Sequence, residues 1–137
     1  MLIISERING MFKSVAKAID KRDKDFIQLL ALEQVAAGAN VLDISTGPGA
    51  EDPKEVMKWL VSVVQEVTNV PLAIDTPKID VMGVALKACK QRALINSTTA
   101  EEKKMSSLFP LAKEYGSDII CLTLTFSLLI PSFPTRQ

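Results

Sequence analysis

The sequence contains no histidine. That excludes imidazole acid–base catalysis and His-ligated metal sites on this chain. Only two cysteines are present, Cys89 and Cys121, in no C-x-x-C or zinc spacing, so a reduced, cytoplasmic setting and buried, inert thiols are expected. Aromatic residues make up 5% of the chain, with a single tryptophan, and there is no excess of either charge sign: Lys plus Arg and Asp plus Glu are both 16. A nucleic-acid footprint, normally a basic patch or stripe, is not expected. No apolar run approaches the ~18 residues of a membrane span; the nearest, Ile119 to Phe133, is interrupted by Thr, Ser and Pro. The opening Met1-Leu2-Ile3-Ile4-Ser5-Glu6-Arg7 lacks the basic and long apolar regions of a signal peptide.

What remains is enough for a core. The chain has 137 residues, 47% of them hydrophobic, within the range of one domain of about 100–150 residues. Its organising stretch is Pro71-Leu72-Ala73-Ile74-Asp75-Thr76. Three apolar residues lead into a carboxylate, a hydroxyl and then Pro77, too short and too abruptly ended for a helix. This reads as a buried parallel strand with a polar tip. Val41-Leu42-Asp43 with Ile44, and Ala93-Leu94-Ile95-Asn96, have the same shape.

Helical spacing separates these runs. A short helix is expected over Ser14 to Asp20. A longer one runs from Lys24 to Ala37, with Phe26, Leu29, Leu30, Glu33 and Ala37 on one side, Asp23 as cap and Gly38 at its end. Asp52-Pro53 opens another, with Val56, Trp59, Leu60, Val63, Val64 and Val67 facing the core and Asn69 ending it. Thr76-Pro77 starts the next, with Ile79, Met82, Val84, Ala85, Leu86 and Cys89 on its core side. Ala100 to Tyr115, which Pro110 is expected to kink or divide, is the last. Strands are expected at Leu2-Ile3-Ile4, at Arg92 to Ile95 before a polar loop Asn96-Ser97-Thr98-Thr99, and at Asp118 to Leu124.

Alternating strand and helix suits βαβ units, and hence an α/β fold. No G-x-G-x-x-G follows the first strand, and polar residues recur at every strand exit rather than at one switch point. Both features favour a (β/α)8 barrel over a doubly wound sheet. A whole barrel takes about 200–400 residues, so the expectation is the amino-terminal portion of a TIM barrel, about five βα units, truncated.

The opening Leu2-Ile3-Ile4-Ser5-Glu6-Arg7-Ile8-Asn9-Gly10 resembles the pterin-binding methyltransferases of anaerobes. So do Asp43 followed by a Gly-Pro loop, Leu72-Ala73-Ile74-Asp75-Thr76, Arg92-Ala93-Leu94-Ile95-Asn96-Ser97-Thr98, and Leu108-Phe109-Pro110-Leu111-Ala112. The family indicated is the methyltetrahydrofolate:corrinoid/iron–sulfur protein methyltransferases. Dihydropteroate synthase and the pterin domain of cobalamin-dependent methionine synthase are more distant relatives. The resemblance implies a barrel commonly paired as a homodimer. It also implies transfer of the N5-methyl group of methyltetrahydrofolate to the cobalt of a corrinoid (cobalamin) on a partner such as a corrinoid iron–sulfur protein, in acetate-forming or related one-carbon metabolism. By resemblance Asp75 and Asn96 hydrogen-bond the polar edge of the pterin, with Asp43 nearby. No catalytic residue and no metal site is assigned.

The family usually has Gly where this chain has Ser5 and Asn where it has Ser45. The resemblance makes 1–137 a partial pterin-binding domain, family-like over 1–124 with a divergent tail at 125–137. A frame change or truncation near Leu124, and a chain inactive in methyl transfer by itself, are the corresponding expectations. A dihydropteroate synthase-like enzyme and a non-catalytic half-barrel are the alternatives. The bland readings of the same residues are a helix cap for Asp75, a turn for Asn96, a contact with loop amides for Asp43, a salt bridge for Glu6 with Arg7, and a plain turn for Gly47-Pro48-Gly49.

Overall fold

The computed structural model describes residues 1–122. The strands are β1 (Ile4–Asn9), β2 (Val41–Ser45), β3 (Leu72–Asp75), β4 (Leu94–Thr99) and β5 (Asp118–Leu122). The helices are α1 (Lys13–Asp20), α2 (Lys24–Ala36), α3 (Pro53–Gln65), α4 (Ile79–Ala88) and α5 (Glu102–Tyr115). All strand pairs are parallel and the spatial order is β1-β2-β3-β4-β5. A doubly wound sheet reverses its strand order at a switch point, and this one does not. Each helix packs beside its neighbour in chain order, α1 on α2 through α4 on α5, giving one helical layer. This is the amino-terminal part of a (β/α)8 barrel.

The two faces of the sheet are sorted by the period of two along each strand. Leu42, Ile44, Leu72, Ile74 and Ile95 join the helices in one core, together with Met57, Leu60, Val61 and Val64 of α3. Each of those α3 side chains is at most 0% exposed, and each such burial is worth roughly 1.5–3 kcal/mol. The alternate positions, Val41, Asp43 and Ala73, are also buried but lie outside that core, on the inner face.

Caps behave as the sequence implies at two helices. Asp23 accepts from the Phe26 N–H at 3.1 Å. Asp52 accepts from the Lys54 and Glu55 N–H groups at 3.2 Å, with Pro53 as the first helical residue. Elsewhere the boundaries move. β1 begins at Ile4 and runs to Asn9, beyond the expected Leu2-Ile3-Ile4 strand, and Leu2 and Ile3 are exposed. α3 ends at Gln65, short of Asn69, and α4 begins at Ile79 rather than at Thr76-Pro77. β4 takes in Asn96 to Thr99, the stretch expected as a loop, because those residues keep pairing with β5.

α5 is continuous through Pro110. Pro110 and Ser106, four residues earlier, are both exposed, so water can satisfy the carbonyl that loses its N–H partner. In α2 the buried residues are Ile27, Leu30, Ala31 and Gln34, while Leu29 and Leu32 are exposed. The helix is apolar on several sides, so its phase cannot be read from spacing. Cys121 is exposed, not buried, because β5 is the edge strand of the described sheet. The last two residues of the expected fifth strand, 123–124, and the 125–137 tail lie outside the described residues.

Candidate functional site

A bulge in β1 sets the first wall. The β1–β2 register shifts between Ser5 and Ile8. Gln34 of α2 fills the gap in the ladder: its side-chain oxygen accepts from the Ser5 hydroxyl at 2.6 Å and from the Arg7 N–H at 3.0 Å, while its amide donates to the Leu30 carbonyl at 2.9 Å. Bulges re-aim the strand end. Here the strand leads into Gly10, whose N–H donates to the Ser45 carbonyl at 3.0 Å. Gly10 lies so close to the β2 exit that a Cβ on it would stand 2.0 Å from the Thr46 carbonyl oxygen. Gly47 faces it with φ +72°, a backbone region that disfavours side chains.

Three polar residues meet on the inner face. Asp75 ends β3 and is in register with Asn96 on β4. Asn96 reaches past β3 and donates its amide N–H to the Asp43 carboxylate at 2.7 Å. Asp43 is level with Ala73 on β3. Asp43 is only 2% exposed. Burial pushes its carboxyl up to about 6; the Asn96 hydrogen bond pulls it down, and the nearby charges of Asp75 and then Glu6 push it further up.

The structure therefore brings together Asp43, Asp75 and Asn96, all three expected site residues, with Asp75 at the end of β3 and Asp43 and Asn96 within β2 and β4. α4 starts three residues beyond Thr76 with Lys78 as its N-cap, so Asp75 is not its cap. Asn96 sits inside a strand and partners Asp43. Among the described residues Glu6 and Arg7 make no ion pair; Glu6 acts on Asp43 through its charge instead.

The sequence reading missed a cavity of about 510 Å³ beside Asp75. Its walls come from the exits of β1, β2 and β3: Met11, the loop Ser45 to Ala50, Pro53, and Thr76 to Lys78. Gly47 and Pro48, read as part of a plain turn, line this cavity. The proline- and glycine-rich strand exits were the available signal. Another cavity, of about 340 Å³, lies at the opposite, amino-terminal ends of the strands, around Arg92 and Ser117, away from the carboxylates. Among the described residues no group of acidic and thiol side chains could hold a metal ion, and no helix is long and apolar enough to cross a membrane.

A parallel sheet in consecutive order, with its helices in chain order beside it, is the amino-terminal part of a barrel-type α/β protein. The family model described as pterin binding enzyme matches residues 6–127, nearly the whole chain, and the chain belongs to that family. It is 39% identical over 111 residues to the methylcorrinoid:tetrahydrofolate methyltransferase of Eubacterium limosum. The match covers 81% of this chain and 41% of that relative, so the chain spans about two fifths of the relative's length.

Proposed function

We propose that the chain forms the pterin-holding wall of a methyltransferase that moves a methyl group between N5 of tetrahydrofolate and the cobalt of a corrinoid carried on a partner protein. The observation that carries this reading is the Asp43–Asn96–Asp75 cluster, with the Asn96 amide on Asp43 and Asp75 level with Asn96. The edge of a reduced pterin presents ring N–H and amino donors beside a carbonyl acceptor. Asp75 accepts from those donors. Asn96 commits its amide N–H to Asp43, which fixes the amide so that its oxygen accepts from the pterin. Asp43, near the midpoint of its titration at about 6, serves the same network as acceptor or donor.

The corrinoid supplies a cobalt able to take or give a methyl group. This chain's residues hold the pterin so that N5 points out of the mouth, and polar groups placed around the ring stabilise the charge that develops on it. The direction expected from the sequence runs toward the corrinoid, whereas the relative's name puts the methylcorrinoid first. One transition state serves both directions, so the roles of Asp75 and Asn96 are the same in each. The setting proposed is cytoplasmic one-carbon metabolism.

Calorimetric titration of the chain with a reduced pterin tests this reading. Asp75→Ala is expected to weaken binding about tenfold or more, since hydrogen bonds to charged groups are worth about 1.5–3 kcal/mol. Asp52→Ala, which removes only a helix cap, is expected to leave it unchanged. Equal affinities for wild type and Asp75→Ala would sink the proposal.

A further inference from the structure

The cavity at the amino-terminal ends of β4 and β5 has no part in the pterin reading. It measures about 340 Å³, within the size range of small-molecule sites, about 300–1,000 Å³. Lys87, Lys90 and Arg92 line it, and no aspartate or glutamate does. Among the described residues Lys87 and Lys90 have no ion-pair partner. Arg92 gives one nitrogen to Asp118. A guanidinium carries five N–H donors, so others remain for a ligand. The loop that bears these cations is braced by Gln65 of α3, a buried side chain. Its oxygen accepts from the Lys90 N–H, and its amide donates to the Ala88 carbonyl at 3.0 Å. That second bond satisfies a carbonyl at the α4 carboxyl end, a task that otherwise draws a lysine to such a position. Gln91 and Arg92 follow in the same loop, and among the described residues neither backbone N–H donates to a protein group.

We propose that this cavity binds a phosphate group, free or carried by a small molecule, with Lys87, Lys90 and the remaining Arg92 nitrogens as donors to its oxygens. Three cations, one of them neutralised by Asp118, leave two positive charges around the cavity. A phosphate monoester carries close to two negative charges near neutral pH and three strong acceptor oxygens. A carboxylate, with a single charge, answers only half of that. The half-buried Tyr115 and the buried Leu86 supply an apolar side against which an organic group can pack. The cations are exposed, so the attraction is screened and weakens as salt rises.

The test titrates the chain with inorganic phosphate and with phenyl phosphate at constant ionic strength, and follows backbone amide NMR shifts. Saturable shifts centred on the Gln91 and Arg92 amides are expected, with none on adding sodium chloride alone. Lys90→Gln is expected to weaken binding about threefold or more, and Lys87→Gln with Lys90→Gln together about tenfold or more. Lys58→Gln, on α3 and outside the cavity, is expected to leave binding unchanged. Both cavity lysines are exposed, so melting temperatures of their variants are expected to match wild type. Tighter binding of phenyl phosphate assigns the site to a phosphate monoester; equal affinities assign it to free phosphate. Shifts spread over the surface lysines, or a Lys58→Gln variant that loses as much as Lys90→Gln, would mean unspecific attraction to positive charge and overturn the proposal. Absence of saturation in the wild-type titration overturns it as well, whatever the variants do.

Discussion

Asn96 of β4 reaches across β3 to the buried Asp43 carboxylate of β2, 2.7 Å away. The pair joins β2 to β4 without a backbone hydrogen bond between them. The hydrogen bond also opposes the upward push that burial gives the Asp43 carboxyl.

The first prediction concerns that acid. Asp43 is raised from an ordinary 3.8 to about 6 in the folded chain, mainly by burial. The folded state therefore holds a proton that the unfolded state has released, and stability falls as pH rises from about 4 through about 6. The gap is worth at most about 3 kcal/mol, at about 1.4 kcal/mol per pH unit. Asp43→Asn removes the titration while keeping an oxygen for Asn96 to donate to. The variant is expected to match wild type near pH 4 and to be more stable by up to about 3 kcal/mol at pH 7. Urea melts at the two pH values measure this; a wild-type-to-variant difference that stays constant between them would refute the assignment.

Removing the other partner has the opposite sign. Asn96→Ala leaves the Asp43 carboxylate buried without its donor, which costs about 1–3 kcal/mol when the group is charged. The loss is expected to be large at pH 7.5 and small near pH 4.5, where the carboxyl carries a proton. It should also raise the Asp43 titration above its present value of about 6, since the Asn96 hydrogen bond is what holds it down. Carbon-13 shifts of the Asp43 carboxyl across the pH range would read the movement directly.

Much of this site was legible because short parallel strands advertise themselves. Leu72 to Asp75 is apolar until its polar tip, and a buried parallel strand has few other ways to end. Asp43 and Asn96 were visible for the same reason. The bridge between them was not, because it joins residues 53 apart in the chain on strands that are not neighbours. β4 was misjudged because Asn96, Ser97, Thr98 and Thr99 carry turn chemistry, yet pairing with β5 holds them extended. The facing of α2 was hidden by leucines on both its sides, and its buried Gln34 answers a bulge in β1 that leaves no mark in the pattern. The cavity was missed because its walls come from separate strand exits.

The two cysteines should report the difference in their surroundings. Burial pushes the Cys89 thiol up to about 11, so little thiolate forms at neutral pH, whereas Cys121 is exposed on the edge strand. Reaction of the native chain with a chromogenic disulfide at pH 7.5 is expected to show one fast thiol and one slower by about tenfold or more. Cys121→Ser should remove the fast phase alone. Two equal rates would mean that Cys89 is not shielded as described.

Two glycines should respond in opposite directions to the same change. At Gly10 an added methyl would meet the Thr46 carbonyl oxygen at 2.0 Å and its carbon at 2.5 Å, and both are backbone atoms with no rotamer to escape into. Gly10→Ala must therefore push the β1 and β2 exits apart. It is expected to cost about 3 kcal/mol, the upper end for overpacked sites, and to disturb the adjoining cavity. Gly83 lies inside α4, where the nearest atom to an added Cβ is the Leu111 Cδ2 at 3.9 Å, an ordinary contact. Alanine there lowers the entropy of the unfolded chain and adds a contact to α5, so Gly83→Ala is expected to stabilise by about 0.5–1 kcal/mol. Thermal melts of both variants, with reduced-pterin binding as a second readout, test the contrast. A tolerated Gly10→Ala with unchanged ligand affinity would show that the β1 and β2 exits are not locked together at the mouth.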